Sequence, residues 1–78
     1  MSTSNATRAE RAQAALMSYV EAKGEVFENS GSEIGDLIAD LLHLSVQIED
    51  RDNGPTTVLR IAQMHFGAER GDPEEEAA

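Results

Sequence analysis

The chain has 78 residues, no cysteine, and fifteen Asp and Glu against six Lys and Arg, which gives a net charge of −9. This length makes one small domain with a barely sufficient core. The absence of cysteine excludes a disulfide framework and thiolate chemistry. The negative charge is opposite to that needed to bind nucleic-acid phosphates. No apolar run is long enough for a signal peptide or a membrane span, so we expect a cytoplasmic protein without membrane contacts.

The charge pattern separates a folded part from its ends. Four of the fifteen acids lie in the last eight residues, GDPEEEAA, which carry no apolar side chain larger than proline. Such a composition is typical of disorder. We therefore predict a flexible leader over 1–6, a helical domain over 7–70 and a disordered acidic tail over 71–78.

The periodicity of the domain predicts three helices and hence an all-α, three-helix bundle. Helix one is predicted over 8–23. Thr7 and Glu10 would form a capping box at its start, and Gly24 would end it in a left-handed turn. Because its apolar stripe is mostly alanine, this helix should depend on packing against helix two.

Helix two is predicted to begin at a capping box of Ser30 and Glu33 and to end near Glu49. It carries one broad apolar face, as expected for burial against other helices. The residues of this face are Ile34, Leu37, Ile38, Leu41, Leu44 and Ile48. Leu42 and Val46 add a second apolar side, which indicates that helix two needs more than one neighbour.

Two connections join the predicted helices. The connector at 25–31 reads EVFENSG and leaves open a short additional helical turn at 25–30. The run DRDNGP is a turn by composition, since proline cannot continue a helix. Helix three should follow from a cap at Thr56 or Thr57 to about Arg70, antiparallel to helix two.

A carboxylate–imidazole cluster is the first candidate site. Asp36, Asp40 and His43 share one helix face, and helix three should bring His65 near them, with Glu69 one turn beyond. Such a cluster could hold a divalent metal. It could instead be a half-buried polar network at the helix seam, or a partner contact in which an imidazole titrates near neutral pH. We favour the network and predict no metal and no cofactor.

A second pattern suggests an enzyme. Glu25 and Glu28, followed by Glu33 and Asp36, resemble the paired acidic motifs of MazG-like nucleotide pyrophosphohydrolases, in which four carboxylates on two antiparallel helices hold magnesium. The first acidic helix is missing here, because only NSGS separates Glu28 from Glu33. Magnesium needs several converging oxygens. We therefore predict no catalytic residue and keep a pyrophosphohydrolase remnant as the alternative function.

A further resemblance covers about half the chain. The stretch DLIADLLHL, followed after a loop by VLRIAQMHFGAE, resembles small acidic helical proteins of bacterial mobile elements, with the QseM-type antiactivators of rhizobial integrative elements as the nearest type. The resemblance is carried by Asp36, Asp40, His43, Ala62, His65, Phe66 and Glu69. It implies a non-catalytic regulator, linked to quorum sensing, that sequesters a transcriptional activator of element transfer.

The surplus of apolar residues on helix two also indicates a partner. We expect Ile38 and Leu41 to be buried in the core. The predicted contact surface combines apolar and polar residues, and the partner would be a basic regulatory protein or a second copy of the chain. Its members are Val26, Phe27, Asp36, Asp40, Leu42, His43, Val46 and His65. A DNA-mimic inhibitor of the anti-CRISPR type is a third possibility, which requires acids aligned on one face.

Overall fold

The computed structural model describes residues 4–49 and 54–70. Over these residues it consists of three α-helices, α1 (Asn5–Ala22), α2 (Gly31–Glu49) and α3 (Gly54–Arg70). The predicted all-α, three-helix bundle is thus confirmed. The predicted acidic tail lies outside the described residues, as do the first three residues of the predicted leader.

Helix α1 begins three residues earlier than predicted. Ser4 is its N-cap, and the Ser4 hydroxyl accepts a hydrogen bond from the backbone N–H of Thr7 at 3.1 Å. The predicted capping box of Thr7 and Glu10 is therefore wrong, because Thr7 already lies inside the helix. Serine is among the best N-cap residues, and it extends the helix into the predicted leader.

The C-terminus of α1 follows the prediction for Gly24, which has a φ of +77°. The backbone N–H of Gly24 donates to the carbonyl of Glu21 at 2.9 Å, and the N–H of Glu25 donates to the carbonyl of Val20 at 3.2 Å. This pair of bonds is the Schellman motif, which satisfies carbonyls at the end of the helix. The chain then runs without helix through 25–30, so the additional helical turn considered there does not form.

The N-terminus of α2 confirms the predicted capping box. The backbone N–H of Glu33 donates to the hydroxyl of Ser30 at 3.3 Å, and the backbone N–H of Ser30 donates to a Glu33 carboxylate oxygen at 2.7 Å. The other carboxylate oxygen of Glu33 accepts from the backbone N–H of Glu28 at 2.9 Å. The pKa of Glu33 is lowered, first by the bond from Glu28 and then by the bonds from Ser30, while desolvation opposes the shift.

Helix α3 begins at Gly54, so the predicted cap at Thr56 or Thr57 is wrong. Pro55 is part of its first turn, where the missing N–H of proline is not needed and its fixed φ suits the helix. The helix ends at Arg70, as predicted.

Helix α2 packs against both other helices. The short connection from α2 to α3 makes these two helices antiparallel neighbours. The buried core is small: among the described residues, Leu16 and Val20 are the buried hydrophobic side chains, and Val20 alone is fully buried. Both come from α1, so the apolar face of α2 is left largely uncovered.

Candidate protein-binding groove

Polar contacts fix the C-terminal half of α1 against α2. The hydroxyl of Tyr19 donates to Asp40 at 2.5 Å, and the ammonium group of Lys23 lies 3.4 Å from Asp36. The same ammonium group lies 3.2 Å from Glu25 and 4.8 Å from the centre of the Tyr19 ring. The bond to Asp40 raises the pKa of Tyr19, since it holds the phenol in its protonated form beside a carboxylate.

A second set of contacts fixes the N-terminus of α1 against the C-terminus of α3. The side-chain amide of Asn5 donates to the carbonyl of Glu69 at 2.8 Å. Arg8 donates to the Asn5 side chain at 2.7 Å and lies 3.5 Å from the Glu69 carboxylate. Helix α1 is thus held at both ends, and its middle spans the apolar face of α2.

An open apolar groove of about 350 Å³ lies between α1 and α2. We call it the α1–α2 groove. Its principal residues are Ala9, Ala12 and Leu16 on α1 and Ile34, Ile38 and Leu41 on α2. The groove continues past Ala9, Ala12 and Ile34 towards Phe66 on α3. Alanine leaves the α1 side shallow, which explains why the larger side chains of α2 stay uncovered.

The exposure of α2 contradicts the predicted core. Ile34, Ile38 and Leu41 are 50%, 44% and 47% exposed, although Ile38 and Leu41 were expected to be buried. Leu42, assigned to the outer side, is only half-exposed or less and is more protected than Leu41. The reason is that α1 meets this face mainly with alanines, which are too small to cover the larger side chains of α2.

The apolar residues of the predicted contact surface are not equally accessible. Val26 is 84% exposed and Val46 is also exposed, whereas Phe27 and Leu42 are partly buried. The predicted surface therefore offers two of its four apolar residues to a partner. The α1–α2 groove is a continuous apolar surface that the sequence-based prediction missed. The alanines at 9 and 12, one helical turn apart, were the signal that could have revealed it.

The polar residues of the predicted surface also differ from one another, since two have partners within the chain and two are exposed histidines. Asp36 and Asp40 are used within the chain, by Lys23 and Tyr19. His43 and His65 are exposed, so the expected half-buried histidine network at the helix seam does not form. Within residues 4–49 and 54–70, no group of three His, Asp or Glu residues is placed to hold a metal ion.

Three of the four carboxylates of the MazG-like pattern have other partners. Glu25 lies beside Lys23, and Asp36 lies beside the same ammonium group. The carboxylate of Glu33 caps α2, and Glu28 contributes its backbone N–H to that cap. Because Lys23 and the cap of α2 engage these carboxylates, and no group of three His, Asp or Glu in the described residues is placed to hold a metal ion, the converging oxygens that magnesium requires are not assembled there.

No protein-family model matches this chain, and the searches of curated proteins and of solved structures find no significant match. None of the helices in the described part of the chain combines the length and apolar character needed to cross a membrane. The functional proposal therefore rests on the groove and its surroundings.

Proposed function

We propose that this protein is a non-catalytic regulator that binds another protein, namely an antiactivator that sequesters a basic transcriptional activator of mobile-element transfer. The observation that supports this most is the α1–α2 groove, in which Ile34, Ile38 and Leu41 stay about half-exposed on a small acidic domain. Contiguous exposed apolar surface of this kind marks interaction sites.

The groove suits an amphipathic helix of the activator. A helix presents apolar anchors at three- and four-residue steps, and such anchors fit an apolar groove between two helices. Large side chains inserted between Ile38 and the alanines of α1 would supply most of the affinity, because a few buried anchors dominate binding energy.

The negative charge of the chain would raise the rate at which the activator associates. With a net charge of −9, the protein attracts a basic DNA-binding surface from a distance. Salt should therefore weaken the complex mainly through a slower association rate. The same attraction places the antiactivator in competition with DNA for the basic surface.

The test is capture in the cells from which the chain comes. A photo-reactive amino acid placed at position 38 should crosslink a DNA-binding regulator, and the same amino acid at position 61 should not. Ile61 is the matched control because it is also an isoleucine, is 46% exposed and lies outside the groove on α3. The captured regulator is then purified, and its DNA binding is measured with wild-type, Ile38→Glu and Ile61→Glu protein.

We expect wild-type and Ile61→Glu protein to release the regulator from DNA and Ile38→Glu protein to fail. A regulator that keeps its DNA and its transcriptional activity in the presence of excess wild-type protein would contradict the proposal. Equal crosslinking from positions 38 and 61 would contradict the use of the groove.

A further inference from the structure

The small core raises the question of what covers the apolar face of α2 when no regulator is bound. Among the described residues, only Leu16 and Val20 are buried hydrophobics, whereas the apolar face of α2 is about half-exposed. Folding must offset a conformational entropy cost of roughly 1–2 kcal/mol per residue, chiefly by burying apolar surface. The protein also has to be folded before it meets a regulator, so anything that covers the groove in the meantime adds to its stability.

The segments outside the described residues are poor in large apolar side chains. Residues 1–3, 50–53 and 71–78 read MST, DRDN and GDPEEEAA. Met1 is their only apolar side chain larger than proline. These segments therefore lack the apolar side chains that the groove would need.

The two sides of the groove differ in the size of their side chains. Its α2 side is a ridge of Ile34, Ile38 and Leu41, and its α1 side is a shallow trough at Ala9 and Ala12. Small residues allow another chain to approach closely. In a two-fold symmetric pair, the ridge of each copy can lie in the trough of the other, and a symmetric interface of this kind uses the same patch twice.

The charge of the groove also permits a second copy. No ionisable residue lines the part of the groove between α1 and α2, where Gln13 and Asn29 are the polar members among the described residues. Its continuation towards Phe66 is flanked by Arg8, Glu69 and Arg70. Two acidic chains can meet there without burying a carboxylate, which would be costly. The remaining repulsion acts between their outer surfaces and is screened by salt over a length of about 8 Å at physiological ionic strength.

We infer that a second copy of this chain covers the α1–α2 groove, forming a two-fold symmetric dimer in which each ridge of Ile34, Ile38 and Leu41 packs on the other copy's Ala9 and Ala12. The dimer does not depend on any regulator. If the proposed function holds, a regulator that uses this groove competes with the second copy, so dissociation of the dimer controls its capture.

Analytical ultracentrifugation of the purified full chain tests the inference without any partner. We expect a species of twice the chain mass of 8.4 kDa. The thermal midpoint should rise with protein concentration over about 5 to 500 µM, because dimerisation stabilises the folded state by mass action. Added salt should strengthen the dimer, whereas it should weaken binding to a basic regulator.

Matched variants locate the interface. Ile38→Glu and Ala12→Phe should both sediment as monomers and lose the concentration dependence, the first by placing a charge in the interface and the second by filling the trough without a charge. Ile61→Glu should stay dimeric. Circular dichroism shows which variants are folded, and Ala12→Phe keeps the test decisive if Ile38→Glu unfolds.

A wild-type protein that stays monomeric throughout this concentration range overturns the inference. So does a dimer that survives in both groove variants, or one that Ile61→Glu alone abolishes. None of these results bears on whether a regulator binds, which the crosslinking experiment measures separately.

Discussion

The first turn of α2 encloses a charged side chain, whereas the middle of the same helix exposes large apolar side chains. Glu33 is only 6% exposed, and its carboxylate accepts hydrogen bonds from the backbone of Ser30 and Glu28. The next residue, Ile34, is half-exposed and begins the apolar ridge. Within two turns of one helix, a charged residue is thus enclosed while large apolar residues face outward.

This contrast shows which part of α2 finds all its contacts within the chain and which part does not. The connector before α2 finds its hydrogen-bond partners locally, because the acceptor and the donors are three to five residues apart. The ridge needs large side chains from elsewhere, and α1 supplies only alanine. The start of α2 is therefore satisfied by local hydrogen bonds, whereas its middle leaves Ile34, Ile38 and Leu41 half-exposed.

The largest expected effect separates the buried core from the ridge. Leu16→Ala should destabilise the fold by about 2–5 kcal/mol, the usual cost of truncating a buried leucine. Ile38→Ala, measured at low protein concentration, should cost roughly half as much, since Ile38 is already 44% exposed. Urea unfolding followed by circular dichroism measures both. Equal losses would mean that the ridge is as well covered as the core.

A charge introduced on either side of α2 should give the next largest effect. Leu42→Glu should destabilise the monomer more than Leu41→Glu, because Leu42 is the more protected side chain and burying an unpaired charge is costly. This order is the reverse of that expected from the apolar pattern. Thermal unfolding at low concentration checks it, and a greater loss for Leu41→Glu would restore the pattern-based assignment.

Loss of the cap should have a smaller but measurable effect. Ser30→Ala should cost about 1 kcal/mol, as is typical of an N-cap serine. Glu33→Ala should reduce stability further, since it removes the acceptor for the backbone N–H groups of both Ser30 and Glu28. Urea unfolding of both variants at neutral pH gives the comparison. If Glu33→Ala were as stable as wild type, the connector would not depend on this carboxylate.

The same carboxylate should make stability depend on acid. The pKa of Glu33 lies below its ordinary value of 4.5, so its contribution is fully present above that pH and is lost as the pH falls through the lowered value. The difference in stability between wild type and Glu33→Gln should therefore shrink as the pH is lowered from neutral through the acidic range. A difference that is constant across this range would show that the charge of Glu33 has no role.

The sequence predicted the features whose determinants are local. The capping box of Ser30 and Glu33 and the left-handed turn at Gly24 each need residues that are close in sequence, and both are present. The start of α1 was missed because Ser4 and Thr7 are both good caps, and periodicity does not choose between them. Pro55 was interpreted as ending a turn, although it suits the first turn of a helix equally well.

The groove was missed because its determinants are distant in sequence. An amphipathic pattern shows that Ile38 and Leu41 share a face, but it does not show what covers that face. The cover is set by where α1 lies, and contacts such as the one between Asn5 and Glu69 join residues far apart in the chain. The bonds of Asp36 and Asp40 to α1 were missed for the same reason, since they are visible only in the folded chain.

The smallest expected effect concerns the hydrogen bond between Tyr19 and Asp40, which holds α1 against α2. Tyr19 is the only tyrosine and the chain has no tryptophan, so ultraviolet absorbance reports its ionisation alone. The hydrogen bond to Asp40 raises the pKa of Tyr19 above the ordinary value of 10.0. In Asp40→Asn the negative charge is lost, and the pKa of Tyr19 should fall back towards that value. Identical titrations for the two proteins would show that Asp40 does not hold the phenol.

The sign of the raised pKa also fixes the effect on stability. The protonated phenol is the form that the fold stabilises, so the contribution of the contact is complete below pH 10.0 and is lost as the pH rises through the raised value. Tyr19→Phe should therefore be slightly less stable than wild type at neutral pH and equal to it in strong alkali. Because α1 forms one side of the groove, loosening this contact should also weaken self-association more than it weakens the fold. Sedimentation and thermal unfolding of Tyr19→Phe, compared at one concentration, measure the two effects side by side.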